Sequence, residues 1–511
     1  MTVAILAAAV GLAFSPPVAS AGPAATSDLP DGPALARNLV RKVTVTGINR
    51  HLIALQRFAD RTDGTRAAST DGHRQSAEYI AGKLEAAGFV VSRQEFPFVF
   101  TKTLAQSLSV DSAATPITIM RYSPSTPTGG ITAPLAVVPN FGCTVADYPD
   151  VTGKIVLVQR GGNCSFAQKQ AAAADAGAVG AIIYNNVPGT LGGTLGSPAA
   201  GRIPTGGITQ ADGTALATRA GASTRLELRA LSADRTSYNV IAETQTGRHD
   251  NVVMAGSHLD SVTEGPGIND NGSGSATLLE TALQLGGTPH VNNAVRFAWW
   301  SAEEFGLLGS NFYVNSLDFE EQLNIALYLN FDMIASPNAA RFVYDGDNSD
   351  AVGAGPGPFG SAQIESAFVD FLGATGIETE GTDFTGRSDY GGFIAQGIPS
   401  GGLFTGAEGV KTEAQADKWG GVAGAAYDAC YHQSCDNLGN LDRTVLDSNA
   451  DAVAWVLAGY AISTEDINGV PPEGAAAALA KAKNANAKAR FTATVKTLKA
   501  GKPAVADEAV S

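Results

Sequence analysis

The chain has 511 residues, of which 44% are hydrophobic and 16% charged, and its formal net charge at pH 7 is -15. This length exceeds one ordinary hydrophobic core and predicts a globular protein of two domains with flanking tails. The acidic balance argues against nucleic acid or an anionic membrane as the main partner, because both reward clustered Lys and Arg.

The chain opens on a short apolar run at residues 3–14, which is followed by the small residues Ala-Ser-Ala at 19–21. This pattern is typical of a secretory signal peptide over residues 1–21. No Lys or Arg precedes the run, which leaves open a start upstream of Met1. The run is shorter than the about 20 apolar residues of a membrane-spanning helix. We expect a secreted, extracellular protein with no membrane partner, in which residues 22–44 form a leader.

Two helices and one strand are predicted before residue 121. Apolar residues recur at helical spacing over residues 47–60. A second helix with one apolar face ends at Gly88, because glycine tolerates a left-handed backbone. A strand is predicted over residues 89–100.

Residues 122–234 differ in texture from the segments on either side. Pro- and Gly-rich turns separate short β-branched runs at 154–158 and 181–184, and an Ala-rich helix is predicted at 166–176. Insertions into surface loops cost little entropy. The pattern therefore predicts a separate β-rich domain inserted into a larger one.

From residue 239 onward the predicted strands alternate with helices. The apolar runs of strand length are residues 252–255, 294–300, 325–331 and 398–404. This alternation is typical of an α/β fold with a mixed, mainly parallel sheet covered by helices on both faces. Ligands of such sheets bind beyond the carboxyl ends of the strands.

The last part of the chain, residues 464–511, is rich in Ala and Lys and is predicted to be a C-terminal tail. A lone amphipathic helix, a removable extension and a disordered arm all remain open for it. The main domain is then discontinuous and consists of residues 45–121 and 235–463.

The chain contains four cysteines, and an even number in an exported protein fits two disulfides. Their proximity in sequence favours Cys143–Cys164 and Cys430–Cys435 among the three possible pairings. Free thiols remain open as an alternative.

Five acidic or imidazole side chains lie at or beyond predicted strand ends and in the loops that follow. Zinc takes imidazole nitrogen and carboxylate oxygen in a near-tetrahedral shell, and a catalytic ion keeps one place for water. Two ions therefore need one His each, one private carboxylate each and one carboxylate between them. The matching set is His258, Asp270, Glu304, Asp332 and His432.

Each of these residues also has a purely structural interpretation. Asp270 precedes a predicted helix and could be its N-cap. Ser301 and Glu304 have the spacing of a capping box. Asp332 alone is equally well explained as the partner of a loop N–H, and His258 alone as a surface residue. The convergence of all of them favours a metal site.

Three neighbouring residues complete the predicted chemistry. Glu303 and Glu304 are adjacent carboxylates that repel each other unless a cation is present, and Glu303 is a candidate general base. Asp260 stands two residues after His258, and in extended backbone it would orient the imidazole ring. Tyr431 is a candidate donor to a developing oxyanion.

The motifs that carry a family resemblance are Ser-His-Leu-Asp-Ser at 257–261, Asn-Asp-Asn-Gly-Ser-Gly at 269–274, Ser-Ala-Glu-Glu-Phe-Gly at 301–306, Asn-Phe-Asp-Met at 330–333 and Cys-Tyr-His at 430–432. They resemble those of the secreted bacterial double-zinc aminopeptidases. The resemblance covers residues 45–121 and 235–463 and implies a zinc-exopeptidase fold.

The resemblance implies two zinc ions per subunit, held by the five residues named above with Asp270 between the ions. It also implies that Glu303 is the base, Tyr431 the oxyanion donor and Asp260 the residue that orients His258. Arg387, in Gly-Arg-Ser-Asp at 386–389, would contact substrate. Residues 153–186 resemble part of a protease-associated domain, an insert that shapes substrate access.

These observations predict a peptidase that releases the N-terminal residue of peptides with a free N-terminus, with large apolar residues favoured by the family resemblance. We expect a monomer, and no motif supports an additional calcium site. A carboxypeptidase on the same scaffold is the first alternative, with Arg387 as its one candidate cation. A glutaminyl cyclase would need a single zinc. A non-catalytic peptide-binding protein should lack a ligand or the base, and this chain keeps all six.

Overall fold

The computed structural model describes residues 32–353 and 355–472, so the predicted signal peptide and most of the predicted tail lie outside it. The helices are α1 (Gly32–Lys42), α2 (Val45–Asp60), α3 (Asp71–Ala86), α4 (Phe166–Asp175), α5 (Gln210–Leu216), α6 (Gly274–Leu285), α7 (Leu308–Ser316), α8 (Phe319–Leu323), α9 (Ser361–Ala374), α10 (Tyr390–Ala395), α11 (Glu413–Trp419), α12 (Arg443–Ile462) and α13 (Glu465–Asn468). The strands are β1 (Val90–Val110), β2 (Ala113–Thr115), β3 (Thr118–Ile119), β4 (Ile131–Val137), β5 (Ile155–Gln159), β6 (Gly180–Tyr184), β7 (Thr205–Ile208), β8 (Ser223–Glu243), β9 (Arg248–His258), β10 (Asn293–Trp300), β11 (Ile325–Phe331), β12 (Phe342–Tyr344), β13 (Glu380–Thr382) and β14 (Ser400–Phe404).

The main domain is built on a mixed sheet with strand order β13-β12-β14-β11-β9-β10-β8, and β1 pairs with β8 at the edge. Its four central strands, β14, β11, β9 and β10, run parallel to one another. Every residue of β11 is buried, as expected for a parallel strand that is covered on both faces. The predicted mainly parallel α/β fold is confirmed.

Alternate residues of the central strands enter two different apolar cores. Trp299 of β10 packs in the core formed with α1, α2, α3, α6, α9 and α12. Its neighbour Trp300 packs in the core formed with α7 and α10 on the other face. Successive strand side chains point to opposite faces, so a strand with both faces covered must be apolar throughout.

The inserted domain has its own sheet, in which β4, β5, β6 and β7 are parallel and β3 is antiparallel to β7. A separate apolar core that includes Val156 and Ile183 packs against α4. The strand β8 pairs with β4 near its start and with β10 near its end. The division predicted at residue 234 thus falls inside one continuous strand that the two domains share.

The predicted leader, residues 22–44, differs from the structure in its second half. Residues 32–42 form α1, in which Ala36 and Leu39 are buried against the main core. The reason is the helical spacing of these apolar residues, which gives α1 one face that packs on α12. The start of the predicted tail is similar, since Ile467 of α13 is also buried in that core.

Both predicted disulfides, Cys143–Cys164 and Cys430–Cys435, are present in the structure. Among the described residues, no helix has both the length and the apolar character needed to cross a membrane.

We expect Leu39→Ala to lower the free energy of unfolding by about 2–4 kcal/mol, because it leaves a cavity between α1 and the main core. Thermal unfolding followed by circular dichroism measures the change. Arg37→Ala, on the exposed face of the same helix, is the matched control and should have little effect. Equal melting temperatures for both variants would show that α1 does not contribute to the folded domain.

Candidate active site

The five predicted metal-ligand residues lie together beyond the carboxyl ends of the central strands. His258 is the last residue of β9, and Asp332 directly follows β11. Glu304 comes four residues after the end of β10, and His432 lies in the loop between α11 and α12. Asp270 lies in the segment that leads into α6, where its own backbone departs from helical angles.

The carboxylate of Asp270 lies between two imidazole rings. Its Oδ1 atom is 3.2 Å from Nε2 of His258, and its Oδ2 atom is 3.2 Å from Nε2 of His432. Nε2 of His258 is also 3.3 Å from Oδ1 of Asp332, and Nε2 of His432 is 3.0 Å from Oε2 of Glu304. The site therefore consists of two His-carboxylate groups that share one carboxylate.

This donor set fits a metal ion of the zinc type. Ligand atoms of His258, Asp270 and Glu304 all lie within 4.8 Å of one another. The Oε1 atom of Glu304 is buried and has no hydrogen-bond partner among the described residues. A buried carboxylate oxygen without a partner is costly unless a cation approaches it. Imidazole nitrogen and carboxylate oxygen are the donors that zinc prefers.

The electrostatic balance of the site is strongly negative around Glu303. Burial raises the pKa of Glu303 well above its ordinary value. The charges of Asp389 and Glu304 raise this pKa further, whereas His258 opposes the shift. Burial likewise raises the pKa of Asp389 to about 7. Such a cluster of buried acids favours the entry of positive charge.

The same negative charges favour the protonated, charged form of the two imidazoles. Burial disfavours the charged form of His432, but Glu304 and Asp270 raise the pKa of His432 to about 11. Burial also disfavours ionised Asp270, yet hydrogen bonds with His258 and His432 hold the pKa of Asp270 well below its usual range. A proton on the ring of His432 would thus compete with a metal ion for Nε2.

Asp260 contacts His258 differently from the prediction. Nδ1 of His258 donates to the backbone carbonyl of Asp260 at 3.1 Å, while the Asp260 carboxylate is 3.8 Å away. That carboxylate instead accepts the backbone N–H of Glu303 at 3.2 Å. The prediction required extended backbone from His258 to Asp260, so that both side chains point the same way, but β9 already ends at His258. Asp260 therefore connects the His258 loop to the Glu303 loop.

Tyr431 and Arg387 lie beside the ligands. Nη2 of Arg387 donates to the phenol oxygen of Tyr431 at 3.2 Å, and Nη1 pairs with Glu408 at 2.8 Å. The ring of Tyr431 stacks on that of His432 with centroids 3.8 Å apart. Burial and the charge of Asp270 raise the pKa of Tyr431 well above its ordinary value. Tyr431 therefore stays protonated and can donate its O–H.

Ser388 is a site residue that the sequence did not reveal by itself. Its hydroxyl donates to Oδ2 of Asp332 at 2.6 Å and accepts from Nδ2 of Asn330 at 2.8 Å. Asn330 in turn accepts from the hydroxyl of Tyr328. This buried chain fixes one oxygen of Asp332 and directs the other toward His258. In the sequence, Ser388 is indicated by its position directly after Arg387 in the Gly-Arg-Ser-Asp motif at 386–389.

Two further buried residues hold the loop that carries Asp270, and nothing in the sequence pattern identified them. The carboxylate of Asp436 accepts the backbone N–H groups of Asn269 and Asp270 at 2.8 and 2.9 Å. The guanidinium of Arg66 is fully buried and donates to three carbonyls within residues 259–267. The loop between His258 and Asp270 is therefore fastened at several points.

Left-handed backbone at residues other than glycine also occurs at the site. Ala302, Met333 and His432 adopt positive φ angles of 57°, 51° and 57°. Residues other than glycine rarely adopt this conformation, and it persists where the surrounding structure enforces it. Each of the three is a predicted ligand or lies within two residues of one.

Two cavities open onto the site. One, of about 250 Å³, is lined by Glu303, Asp332 and Tyr431 and by apolar groups that include Met333 and Phe404. The other, of about 630 Å³, starts at Glu304 and Phe305 and extends to the inserted domain. Four of the five predicted ligands line the small pocket, and the fifth, Glu304, lines the larger cleft.

A second acidic group, formed by Asp345, Asp347 and Glu365, lies outside the site. Asp345 accepts the backbone N–H groups of Ser349 and Asp350, and Glu365 accepts that of Gly346. Loop hydrogen bonds account for this group, and it does not support a calcium site.

Two family models match the chain. The model described as Peptidase family M28 matches residues 239–457, and the model described as PA domain matches residues 131–216. Probable lipoprotein aminopeptidase LpqL of Mycobacterium tuberculosis is 46% identical, covering 92% of this chain and 96% of that protein. Leucine aminopeptidase 2 of Trichophyton rubrum is 46% identical, covering 86% of this chain and 88% of that protein.

Solved structures are similar as well. The aminopeptidase from Aneurinibacillus sp. strain AM-1 has a TM-score of 0.65 and 28% identity, covering 82% of this chain and 95% of that one. A zinc aminopeptidase from Bacillus subtilis has a TM-score of 0.59 and 26% identity, covering 81% of this chain and 94% of that one.

We expect Ser388→Ala to weaken metal binding about tenfold, because Asp332 loses the hydrogen bond that fixes its Oδ2 atom. Competition with a chelator of known affinity measures the change, and thermal unfolding checks the fold. Ser366→Ala removes an exposed hydroxyl on α9 and serves as the control. If both variants retain metal equally, Ser388 does not position Asp332.

Proposed function

We propose, since this chain belongs to peptidase family M28 and its relatives are named aminopeptidases, that it releases N-terminal residues from peptides with the help of two zinc ions. The family resemblance read from the motifs is confirmed, and the inserted domain is a PA domain. The chain is a hydrolase of the aminopeptidase type. The metal count, the residue roles and the substrate preference that follow are proposals.

The observation that carries the proposal is the position of Asp270 between His258 and His432. One ion would be held by His258, Asp332 and one oxygen of Asp270. The other would be held by His432, Glu304 and the second oxygen of Asp270. When bound, zinc would polarise the scissile carbonyl, acidify the attacking water and offset the negative charge around Glu303.

Glu303 is the proposed general base. It lines the small pocket beside His258 and Asp332, and none of the predicted ligand pairings uses its carboxylate. It would accept a proton from the attacking water and pass it to the leaving amine. The hydrogen bond from its backbone N–H to Asp260 holds it close to the His258 loop.

Tyr431 would stabilise the developing oxyanion. Its pKa is raised, so the phenol carries the proton that an oxyanion donor needs. Arg387 donates to the phenol oxygen and thereby leaves the phenol proton free to point toward the carbonyl of the substrate. In this proposal Arg387 contacts the substrate in the pocket and also orients Tyr431.

The small pocket supports a preference for one apolar N-terminal residue. Its volume of about 250 Å³ is below the roughly 300–1,000 Å³ of pockets for drug-sized ligands. Met333, Phe404 and Tyr427 supply apolar walls, and the carboxylates at its inner end favour a cationic amine. A large apolar side chain with a free N-terminus satisfies both features.

The alternatives have less support. A carboxypeptidase needs a free cation for the substrate carboxylate in the small pocket itself, and Arg387, the guanidinium that lines this pocket, is paired with Glu408. A non-catalytic peptide-binding protein has no need of Glu303 beside a complete ligand set. Two disulfides and the lipoprotein relative indicate an exported protein. We propose that it is secreted and acts as a monomer.

The function is tested with peptides that are free or blocked at either end, assayed before and after chelation. We expect cleavage of Leu-Gly-Gly, no cleavage of its N-acetyl form, loss of activity with chelator and recovery with zinc. Elemental analysis should find about two zinc ions per active chain, because two ligand groups share Asp270. Cleavage of the amino-blocked peptide, or an active chain without metal, would refute the proposal.

We expect Glu303→Gln to lower kcat about 10³-fold while zinc content is unchanged, because the amide cannot accept the proton and no ligand is lost. Stopped assays with leucine p-nitroanilide and metal analysis of the same sample give both quantities. Glu413→Gln, at an exposed position at the start of α11, is the control for a neutralised carboxylate. Near-normal turnover in Glu303→Gln would remove Glu303 from the mechanism.

A further inference from the structure

The larger cleft lies between the main domain and the PA domain. Glu304 and Phe305 line one part of it, and residues 118–125 together with Gly193 line another, where β3 pairs with β7 of the inserted domain. The smaller pocket is lined by Glu303 and by the four predicted ligands other than Glu304. The cleft therefore reaches the ligand cluster at Glu304 and offers a path for the rest of a peptide whose N-terminal residue occupies the small pocket.

The positively charged side chain of Arg121 is part of the lining of this cleft. Its backbone is fixed on the PA side, since its N–H donates to Gly193 and its carbonyl accepts from Leu195, at 2.8 and 2.9 Å. The guanidinium carbon lies 4.7 Å from the ring centroid of Tyr122 and 5.8 Å from that of Phe305. Arg121 therefore connects the PA side of the cleft to the residue that follows Glu304.

The charge of Arg121 is not compensated within the described part of the chain. Nε and Nη2 are shielded from solvent and have no hydrogen-bond partner there, whereas Nη1 is not among the shielded atoms without a partner. Glu264 also lines the cleft, but it does not form an ion pair with Arg121. Burial lowers the pKa of Arg121, but a guanidinium remains charged at neutral pH. A partly buried cation without a counter-ion is costly, and the missing partner is an anion.

We propose that the cleft binds the part of the substrate that follows the scissile bond, and that Arg121 pairs with the C-terminal carboxylate of short peptides. The inference rests on the aminopeptidase function proposed above and deepens it, because it names short peptides with a free carboxyl end as the favoured substrates. A carboxylate in the cleft would approach Nη1, and a hydrogen bond between guanidinium and carboxylate is charge-assisted and therefore stronger than a neutral one.

The proposal makes the carboxylate contact depend on peptide length. An extended chain spans at most about 3.3–3.6 Å per residue, so only certain lengths bring the carboxylate from the scissile bond to Arg121. A general attraction of anions to the cleft would favour free acids of every length. A length series therefore separates a specific contact from bulk electrostatics.

The test compares peptides of two to five residues, Leu followed by Gly, as free acids and as amides, with leucine p-nitroanilide as a substrate that lacks a peptide beyond the scissile bond. For the wild type we expect kcat/KM to be about tenfold higher for the acid than for the amide at the favoured length. In Arg121→Gln the difference should disappear, through a higher KM for the acid. Hydrolysis of the p-nitroanilide should be unchanged.

Two further variants sharpen the result. Arg121→Lys keeps the charge but loses the forked geometry, so it should retain part of the preference for free acids. Arg219→Gln removes a cation from the PA domain at a site outside the cleft, where Arg219 pairs with Asp111, and should leave the preference intact. It is the matched control for a change in overall charge.

Several outcomes would overturn the inference. A wild-type enzyme that does not distinguish acid from amide, or does so equally at every length, has no carboxylate contact at Arg121. An equal loss on acids, amides and the p-nitroanilide in Arg121→Gln would mean that Arg121 only supports Phe305 and Glu304. Failure of the aminopeptidase function is a separate result, because it would appear as cleavage of N-acetyl peptides or no hydrolysis of the p-nitroanilide.

Discussion

The shared carboxylate of Asp270 is the interaction on which the site depends. One oxygen faces His258 and the other faces His432, so both histidines must be placed relative to one side chain. His258 is placed by the end of β9, whereas His432 lies in a loop. The carboxylate of Asp436, four residues beyond His432, accepts the N–H of Asp270 and couples the two loops directly. The buried carboxylate of Asp436 thus fixes the position of one loop relative to the other, as strand pairing does elsewhere in the fold.

This arrangement conflicts with the stability of the fold, since several acids are buried in one place. Burial and mutual repulsion raise the pKa values of Glu303 and Asp389, and both oxygens of Asp389 lack a hydrogen-bond partner among the described residues. A sheet edge made only for stability would not collect such groups. The bound cations would relieve the repulsion, which couples metal binding to the stability of the loops.

The sequence predicted most of this site because its residues follow apolar strands. The apolar run at residues 325–331 has the length and composition of a strand buried on both faces, and in a parallel sheet such a strand places Asp332 at the common edge. Ser388, Asp436 and Arg66 have no such pattern, because their roles arise from contacts with residues distant in the sequence. The role of Asp260 in orienting His258 stays a prediction, and its backbone carbonyl lies closer to the ring than its carboxylate does, because β9 ends at His258.

The shared strand β8 explains how an inserted domain that supplies none of the predicted ligands can take part in substrate selection. A flexible linker would let the PA domain move, and each substrate would then bear the entropy of ordering it. Because β8 continues from β10 in one sheet to β4 in the other, the position of Arg121 relative to Glu304 is set during folding. The cost of burying an unpaired guanidinium is then also borne during folding. A substrate carboxylate that reaches it gains an ion pair at a site that is already formed.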